Sequence, residues 1–223
     1  MTRGRLVLGN VLAVAACALV YELTTAALAS YVLGDAIRQF SITLGLYLAA
    51  MGVGAWSSKI VETSVAEAYL SIELGLAVIG GLSAPLLFRI SESGSEFHVI
   101  VYATIFVIGL LVGFELPLLM RILKSAGADD RDLVSRSLAW DNAGALVAAL
   151  LFPLVLVPFL GLLRTSLVTG LVNAAIAVSG TWVLREDLSR RSQTLLRAVG
   201  AAVACALIVA FVHAPAWALT WAE

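Results

Sequence analysis

Long apolar stretches separated by short polar segments dominate the pattern of residues along the chain. Each stretch is close to the roughly 20 residues that a helix needs to cross the hydrocarbon core of a bilayer. The pattern predicts an all-α fold, a bundle of seven transmembrane helices that forms a single domain over residues 1–223. The predicted helices are approximately Leu6–Leu33, Phe40–Lys59, Val65–Arg89, Phe97–Leu123, Arg136–Leu160, Leu163–Leu184 and Leu195–Ala214.

The composition supports a multi-span membrane protein. Only 13% of the residues are charged and 61% are hydrophobic, whereas soluble domains carry about 25% charged residues. Eleven of the fourteen Lys and Arg residues fall on the side of the predicted bundle that holds the N-terminus. This bias predicts a cytoplasmic N-terminus in a multi-pass protein and, with seven spans, a C-terminus outside.

The carboxylate Glu115 lies two residues before Pro117 inside one of these apolar runs. An ionisable side chain at membrane depth costs at least roughly 2.5–3.5 kcal/mol, so it is a functional-site hypothesis by default. Pro117 has no N–H to donate to the carbonyl of Gly113, and a freed carbonyl beside a carboxylate is typical of cation sites in transporters. The alternative is a tolerated kink that neighbouring helices or water satisfy.

Two further carboxylates are expected at a depth similar to that of Glu115. At 1.5 Å per helical residue, Glu73 and Glu115 each lie roughly 12 Å from the cytoplasmic end of their helices, and Asp141 lies roughly 7 Å in, with Asn142 beside it. No Lys or Arg is expected in that layer. Glu22 is predicted nearer the outer face.

Carboxylates without basic partners in a low-dielectric layer have three outcomes. They bind a cation, they share protons, or they reach water or loop arginines such as Arg121 and Arg136. The first outcome predicts a site for an amine or a metal cation, the second predicts a proton relay, and the third is purely structural. The sequence leaves all three open.

Other chemistry is excluded at the level of motifs. The chain has no P-loop, Rossmann glycine turn or nucleophile elbow, and His98 and His213 lack metal-ligand spacing. No basic block predicts nucleic-acid binding. We therefore expect no catalytic residue, metal site or cofactor within this chain.

Several local motifs together resemble the membrane domain of bacterial membrane-spanning spermidine synthases, a group of polyamine aminopropyltransferases. The resemblance covers essentially the whole chain. The motifs that carry it are Tyr21-Glu22-Leu23, Gly34 with Gln39-Phe40-Ser41, Ala50-Met51-Gly52-Val53-Gly54, Glu73-Leu74 with Gly80-Gly81, Gly113-Phe114-Glu115-Leu116-Pro117-Leu118, Asp141-Asn142-Ala143-Gly144, Phe152-Pro153, Pro158 with Gly161-Leu162, and Gly170-Leu171-Val172-Asn173.

The resemblance implies that the parent family transfers aminopropyl groups through a C-terminal domain with a glycine-rich nucleoside loop. No such loop occurs in these 223 residues, so we expect either a truncated chain or a stand-alone membrane domain, and no aminopropyl transfer by this part alone. Whether the protein is an enzyme stays open at this point. The implied location is the bacterial inner membrane.

Two functions follow as expectations. The first is binding or transport of a polyamine, such as putrescine or spermidine, or of another organic cation. The second is a non-catalytic membrane anchor or scaffold for a synthase domain. The expected partners are the lipid bilayer and a polyamine, and self-association is left open. The expected ligand-binding residues are Glu22, Gln39, Glu73, Glu115, Asp141 and Asn142.

Overall fold

A computed structural model describes residues 2–91, 95–125, 127 and 130–219 of the chain. Within these ranges the regular structure is entirely helical. We number the helical runs α1 (Thr2–Leu33), α2 (Ala36–Ser57), α3 (Val65–Arg89), α4 (Ser95–Ser125), α5 (130–183) and α6 (Arg190–Leu219). The 3-10 turn Ser58–Ile60 extends α2. The all-α prediction is confirmed for the described part of the chain.

Six helices in the described ranges, not the predicted seven, are long and apolar enough to cross a membrane. The difference arises in α5, where the predicted fifth and sixth helices form one run. That run consists of the α-helix Asp130–Leu151, the π-helix Phe152–Leu156 and the α-helix Val157–Val183. The predicted gap between Leu160 and Leu163 falls at Gly161, where the helical run changes direction but continues.

Gly161 divides α5 into two arms, α5a (130–160) and α5b (162–183). Its backbone angles, φ 71° and ψ 173°, are not helical. In α5a, Gly144 packs on the Leu12 carbonyl of α1 and Phe152 packs further along α1 beside Val20, so the two helices are parallel.

The second arm runs in the opposite direction. Ser166 donates to the Gly81 carbonyl of α3, and Gly180 packs on Leu70, near the other end of α3. The order of these contacts makes α5b antiparallel to α3. The helical run therefore reverses at Gly161, which can adopt this conformation because it has no Cβ.

Glycine residues bring the backbones of α2 and α4 into contact. A Cβ on Gly54 would collide with the Leu110 carbonyl, and a Cβ on Gly113 with the Met51 carbonyl. A Cβ on Gly109 would likewise approach the Tyr47 carbonyl to 2.8 Å. By contrast, Gly45 meets nothing within 4 Å. This close approach holds α4 where it can present Glu115 to the interior.

The outer surface of the bundle is apolar. Side chains such as Trp56, Leu154 and Phe159 are 67%, 66% and 77% exposed, respectively. Surface of this kind is costly in water and is normal in contact with lipid. The structure thus has the surface of a membrane protein, while the direction in which it crosses the membrane stays a prediction.

Candidate functional site: an acidic cavity between four helices

A cavity of about 300 Å³ lies between α1, α2, α4 and α5a. Three of its lining residues are carboxylates, Glu22, Glu115 and Asp141, and none is Lys or Arg. The remaining lining residues are apolar apart from Tyr47. A volume near 300 Å³ is at the lower end of the range of small-molecule sites.

The lining residues of α1 form a single stripe along the helix. They are Val11, Val14, Ala15, Ala18, Leu19 and Glu22, spaced by three or four residues as expected for one helix face. From Val11 to Glu22 this stripe extends about 16 Å along the helix axis. The cavity is therefore elongated, with Glu22 at one end and apolar side chains along the wall.

Glu115 is the most deeply buried carboxylate of the lining. Its side chain is 3% exposed, and its Oε1 atom has no hydrogen-bond partner. The helix continues through Pro117 to Ser125, as the predicted helix Phe97–Leu123 also does. Pro117 nevertheless supplies no N–H to the carbonyl of Gly113. Gly113, Glu115 and Pro117 all line the cavity.

Glu73 lies behind Glu115, outside the cavity lining. Its side chain is fully buried, and neither carboxyl oxygen has a hydrogen-bond partner. Its carboxyl group interacts with the Tyr69 hydroxyl and with the Glu115 carboxyl, although the geometry of these contacts falls short of a hydrogen bond. Burying a polar group without a partner is costly, so this arrangement requires a proton or a ligand to stabilise it.

Arg121 does not neutralise these carboxylates. Its guanidinium donates to the carbonyls of Val61 at 2.6 Å and of Ser58 at 3.4 Å. The structural alternative in which Arg121 pairs with Glu115 is therefore wrong. In the described ranges, Glu115 and Glu73 form no ion pair with a Lys or Arg.

The carboxylates of the cavity do not converge on one point. Across the described residues, no group of three His, Cys, Asp or Glu side chains is arranged to hold a metal ion. Separate negative charges along an apolar wall match an extended ligand that carries separate positive charges. A compact cation would contact only one of them.

Two predicted site residues lie away from the cavity. Asn142 is exposed, and its Nδ2 atom donates to the Leu138 carbonyl of its own helix at 2.8 Å. Gln39 is buried, and its Oε1 atom accepts a hydrogen bond from the Tyr102 hydroxyl at 3.0 Å. Asn142 therefore bonds within its own helix, and Gln39 links α2 to α4. The ligand-binding role that the sequence predicted for them is not supported by a contact with the acidic cavity.

The sequence is similar to curated proteins along nearly its whole length. It is 41% identical over 202 residues to the polyamine aminopropyltransferase of Leptospira interrogans, which covers 91% of this chain. It is 48% identical over 191 residues to polyamine aminopropyltransferase 2 of Ralstonia nicotianae, and 39% identical over 219 residues to polyamine aminopropyltransferase 2 of Streptomyces coelicolor. These matches cover 84% and 94% of this chain, respectively.

The relatives of this chain are polyamine aminopropyltransferases. The chain spans 40%, 38% and 40% of the length of these three relatives, in the order given above. No family model and no solved structure matches it. The similarity supports the resemblance drawn from the motifs, while the restriction to a membrane domain stays a prediction.

Two tyrosine residues close to the carboxylates, Tyr47 and Tyr69, were not among the predicted site residues. Tyr47 lines the cavity, and its hydroxyl donates to the Ala18 carbonyl at 2.9 Å. Tyr69 is fully buried beside Glu73, one helical turn away. Tyr47 lies in the middle of the apolar helix α2, which is unusual, because membrane tyrosines are enriched at the interfaces. This position in an apolar run is the sequence feature that could have indicated Tyr47 as a site residue.

Proposed function

We propose that this chain binds a linear polyamine in the cavity between α1, α2, α4 and α5a, as part of a membrane protein of the bacterial inner membrane. The observation that carries the proposal is Glu115, a buried carboxylate with an unpaired oxygen that lines the cavity. A protonated amine would supply the missing charge and hydrogen-bond donors. Charge-assisted hydrogen bonds of this kind are about twice as strong as neutral ones.

The shape of the cavity favours a polyamine over other organic cations. A polyamine alternates ammonium groups with short methylene chains. The cavity lining has the same two components, the carboxylates of Glu22, Glu115 and Asp141 and the apolar side chains of α1 and α4. Tyr47 adds an aromatic ring to the wall, and aromatic faces attract ammonium groups. The names of the relatives are consistent with this ligand class.

Binding is tested by the thermal stability of the purified protein in lipid nanodiscs, with putrescine or spermidine added. A ligand that binds only the folded state at 100 times its Kd stabilises that state by about 2.7 kcal/mol. We expect spermidine to raise the Tm of the wild type and to leave that of Glu115→Gln unchanged. Glu62→Gln is the matched control, because Glu62 is exposed. The control should respond as the wild type does, and Mg²⁺ should not replace spermidine.

A second function, membrane anchoring of an aminopropyltransferase domain, is favoured by the length of the relatives. They are more than twice as long as the matched region and are named for aminopropyl transfer. A pure anchor predicts that neither polyamine changes the Tm and that Glu115→Gln affects stability alone. Self-association and transport stay predictions under either function.

A further inference from the structure

The carboxyl groups of Glu115 and Glu73 form a buried pair at the wall of the cavity. Glu115 is exposed to the cavity at its edge, whereas Glu73 is fully enclosed behind it. Three of the four carboxyl oxygens of the pair have no hydrogen-bond partner, namely both oxygens of Glu73 and Oε1 of Glu115. The Tyr69 hydroxyl, which is next to Glu73, is also unpaired.

In the part of the chain that the structure describes, the titratable groups that interact with this pair supply no positive charge. From α1 they are Cys17 and Tyr21, from α2 Tyr47, from α3 Tyr69 and from α5a Asp141. Arg164 of α5b and Arg197 of α6 are engaged elsewhere. Arg164 lies over the Phe211 ring, and Arg197 donates to Thr181 at 2.7 Å.

Two adjacent carboxylates in low dielectric cannot both remain charged, and such a pair titrates as one coupled unit. Glu115 lines the cavity, whereas Glu73 does not and is fully buried. Any proton on the pair is therefore placed where an ammonium group would compete with it.

We propose that Glu73 and Glu115 share one proton in the empty protein and release it to water when an ammonium group binds beside Glu115. This inference rests on the proposed polyamine binding. It adds that a proton is exchanged for the bound ammonium group. Before binding, the pair holds one proton and one negative charge. On binding, one ammonium charge enters and one proton leaves through the cavity, so the local charge is conserved.

Isothermal titration of the full chain in nanodiscs tests the exchange. Spermidine is titrated at the same pH in two buffers that differ in ionisation enthalpy, so that the difference in heat counts the protons released. We expect about one proton per spermidine for the wild type and for the exposed control Glu62→Gln. Glu73→Gln should still bind, with fewer than half as many protons released. Equal proton release by Glu73→Gln and the wild type would overturn the proposal.

Infrared spectroscopy separates this inference from the proposed function. A shared proton gives the wild type, without ligand at neutral pH, a carbonyl stretch of a buried protonated carboxyl that exchanges slowly in D₂O. The band should be lost or shifted in Glu73→Gln and in Glu115→Gln. If spermidine fails to bind but the band is present, the proposed function fails and the carboxyl pair stands. If the wild type has no such band, the shared proton of Glu73 and Glu115 is refuted, whether or not spermidine binds.

Discussion

Arg121 follows Glu115 on α4 by six residues, yet its guanidinium donates to the Val61 carbonyl at 2.6 Å. Val61 comes directly after the 3-10 turn that ends α2, so the arginine closes the end of that helix. A cation placed there satisfies carbonyl groups at a helix C-terminus, where it also interacts favourably with the helix dipole. The contact leaves the carboxylates of the cavity without a protein counter-charge.

This role of Arg121 predicts a change in stability without a change in binding. Arg121→Gln should lower the free energy of unfolding by about 1–3 kcal/mol, since carbonyls near the membrane interface lose a charged donor. The spermidine-induced rise in Tm should persist. Arg136→Gln, which alters an exposed arginine, is the control and should leave both quantities unchanged. Loss of the spermidine response in Arg121→Gln alone would instead place Arg121 in the binding site.

Replacing Gly161 should lower the stability of the fold through backbone conformation alone. Its φ is +71°, while a Cβ there would meet nothing within 4 Å. Gly161→Ala should therefore destabilise the fold by about 1–3 kcal/mol through strain at the reversal of α5. Gly52 also has open space but lies inside α2, so Gly52→Ala should be neutral or stabilising. Unfolding in increasing denaturing detergent compares the two, and equal stability would contradict the strained reversal.

The contact between α2 and α4 predicts a steric effect at Gly113. A Cβ there would collide with the Met51 backbone, which cannot rotate away as a side chain can. Gly113→Ala should cost about 1–3 kcal/mol, as expected for overpacking. Gly45→Ala should not, because Gly45 faces open space. The same detergent unfolding serves as the measurement. A Gly113→Ala protein as stable as Gly45→Ala would show that the two helices separate easily.

Filling the cavity should abolish binding while preserving the charges. Ala145 lines the cavity from α5a, whereas Ala149, one turn further, is exposed. In Ala145→Phe the added ring should remove most of the spermidine-induced rise in Tm. Ala149→Phe should behave as the wild type, because its ring extends into lipid. An unchanged response in a folded Ala145→Phe protein would place the ligand elsewhere.

Asp141 and Asn142 are adjacent in sequence, but their side chains differ in their position relative to the cavity. Asp141 lines the cavity, whereas Asn142 is exposed and is not among the cavity-lining residues. Asp141→Asn should weaken spermidine binding by roughly tenfold, or about 1.4 kcal/mol, because one negative charge is lost. Asn142→Ala should bind as the wild type. Isothermal titration measures both Kd values, and a larger loss for Asn142→Ala would contradict the assignment.

The sequence predicted the helical class and most helix positions because lipid imposes strict requirements. Helices satisfy all backbone hydrogen bonds internally, and their length follows from bilayer thickness. Val65–Arg89 is a case in which the observed helix coincides with the predicted one. The count was wrong at α5, because the predicted helices that end at Leu160 and begin at Leu163 are joined through Gly161 into one continuous helical run, Leu133–Val183.

The sequence predicts how deep a residue lies along its helix, but not the position of the helix in the bundle or its rotation about its axis. The prediction of the site was limited for this reason. Predicted depth grouped Glu73 with Glu115 and Asp141 in one layer and placed Glu22 nearer the outer face. The structure puts Glu22 in the cavity and Glu73 behind Glu115. Rotation of each helix about its axis decides which side chains share a space. That rotation depends on contacts such as Gly113 on Met51, which no single segment encodes.

The sequence by itself determined that buried carboxylates occur at membrane depth, because apolar runs around Glu73 and Glu115 leave them no other location. It also determined the likeness to polyamine aminopropyltransferases, because identity extends along most of the chain. Only the tertiary structure decided where Arg121 binds, which carboxylates line one cavity and where α5 reverses. These depend on the distance and orientation of residues far apart in the chain, and packing between helices sets both.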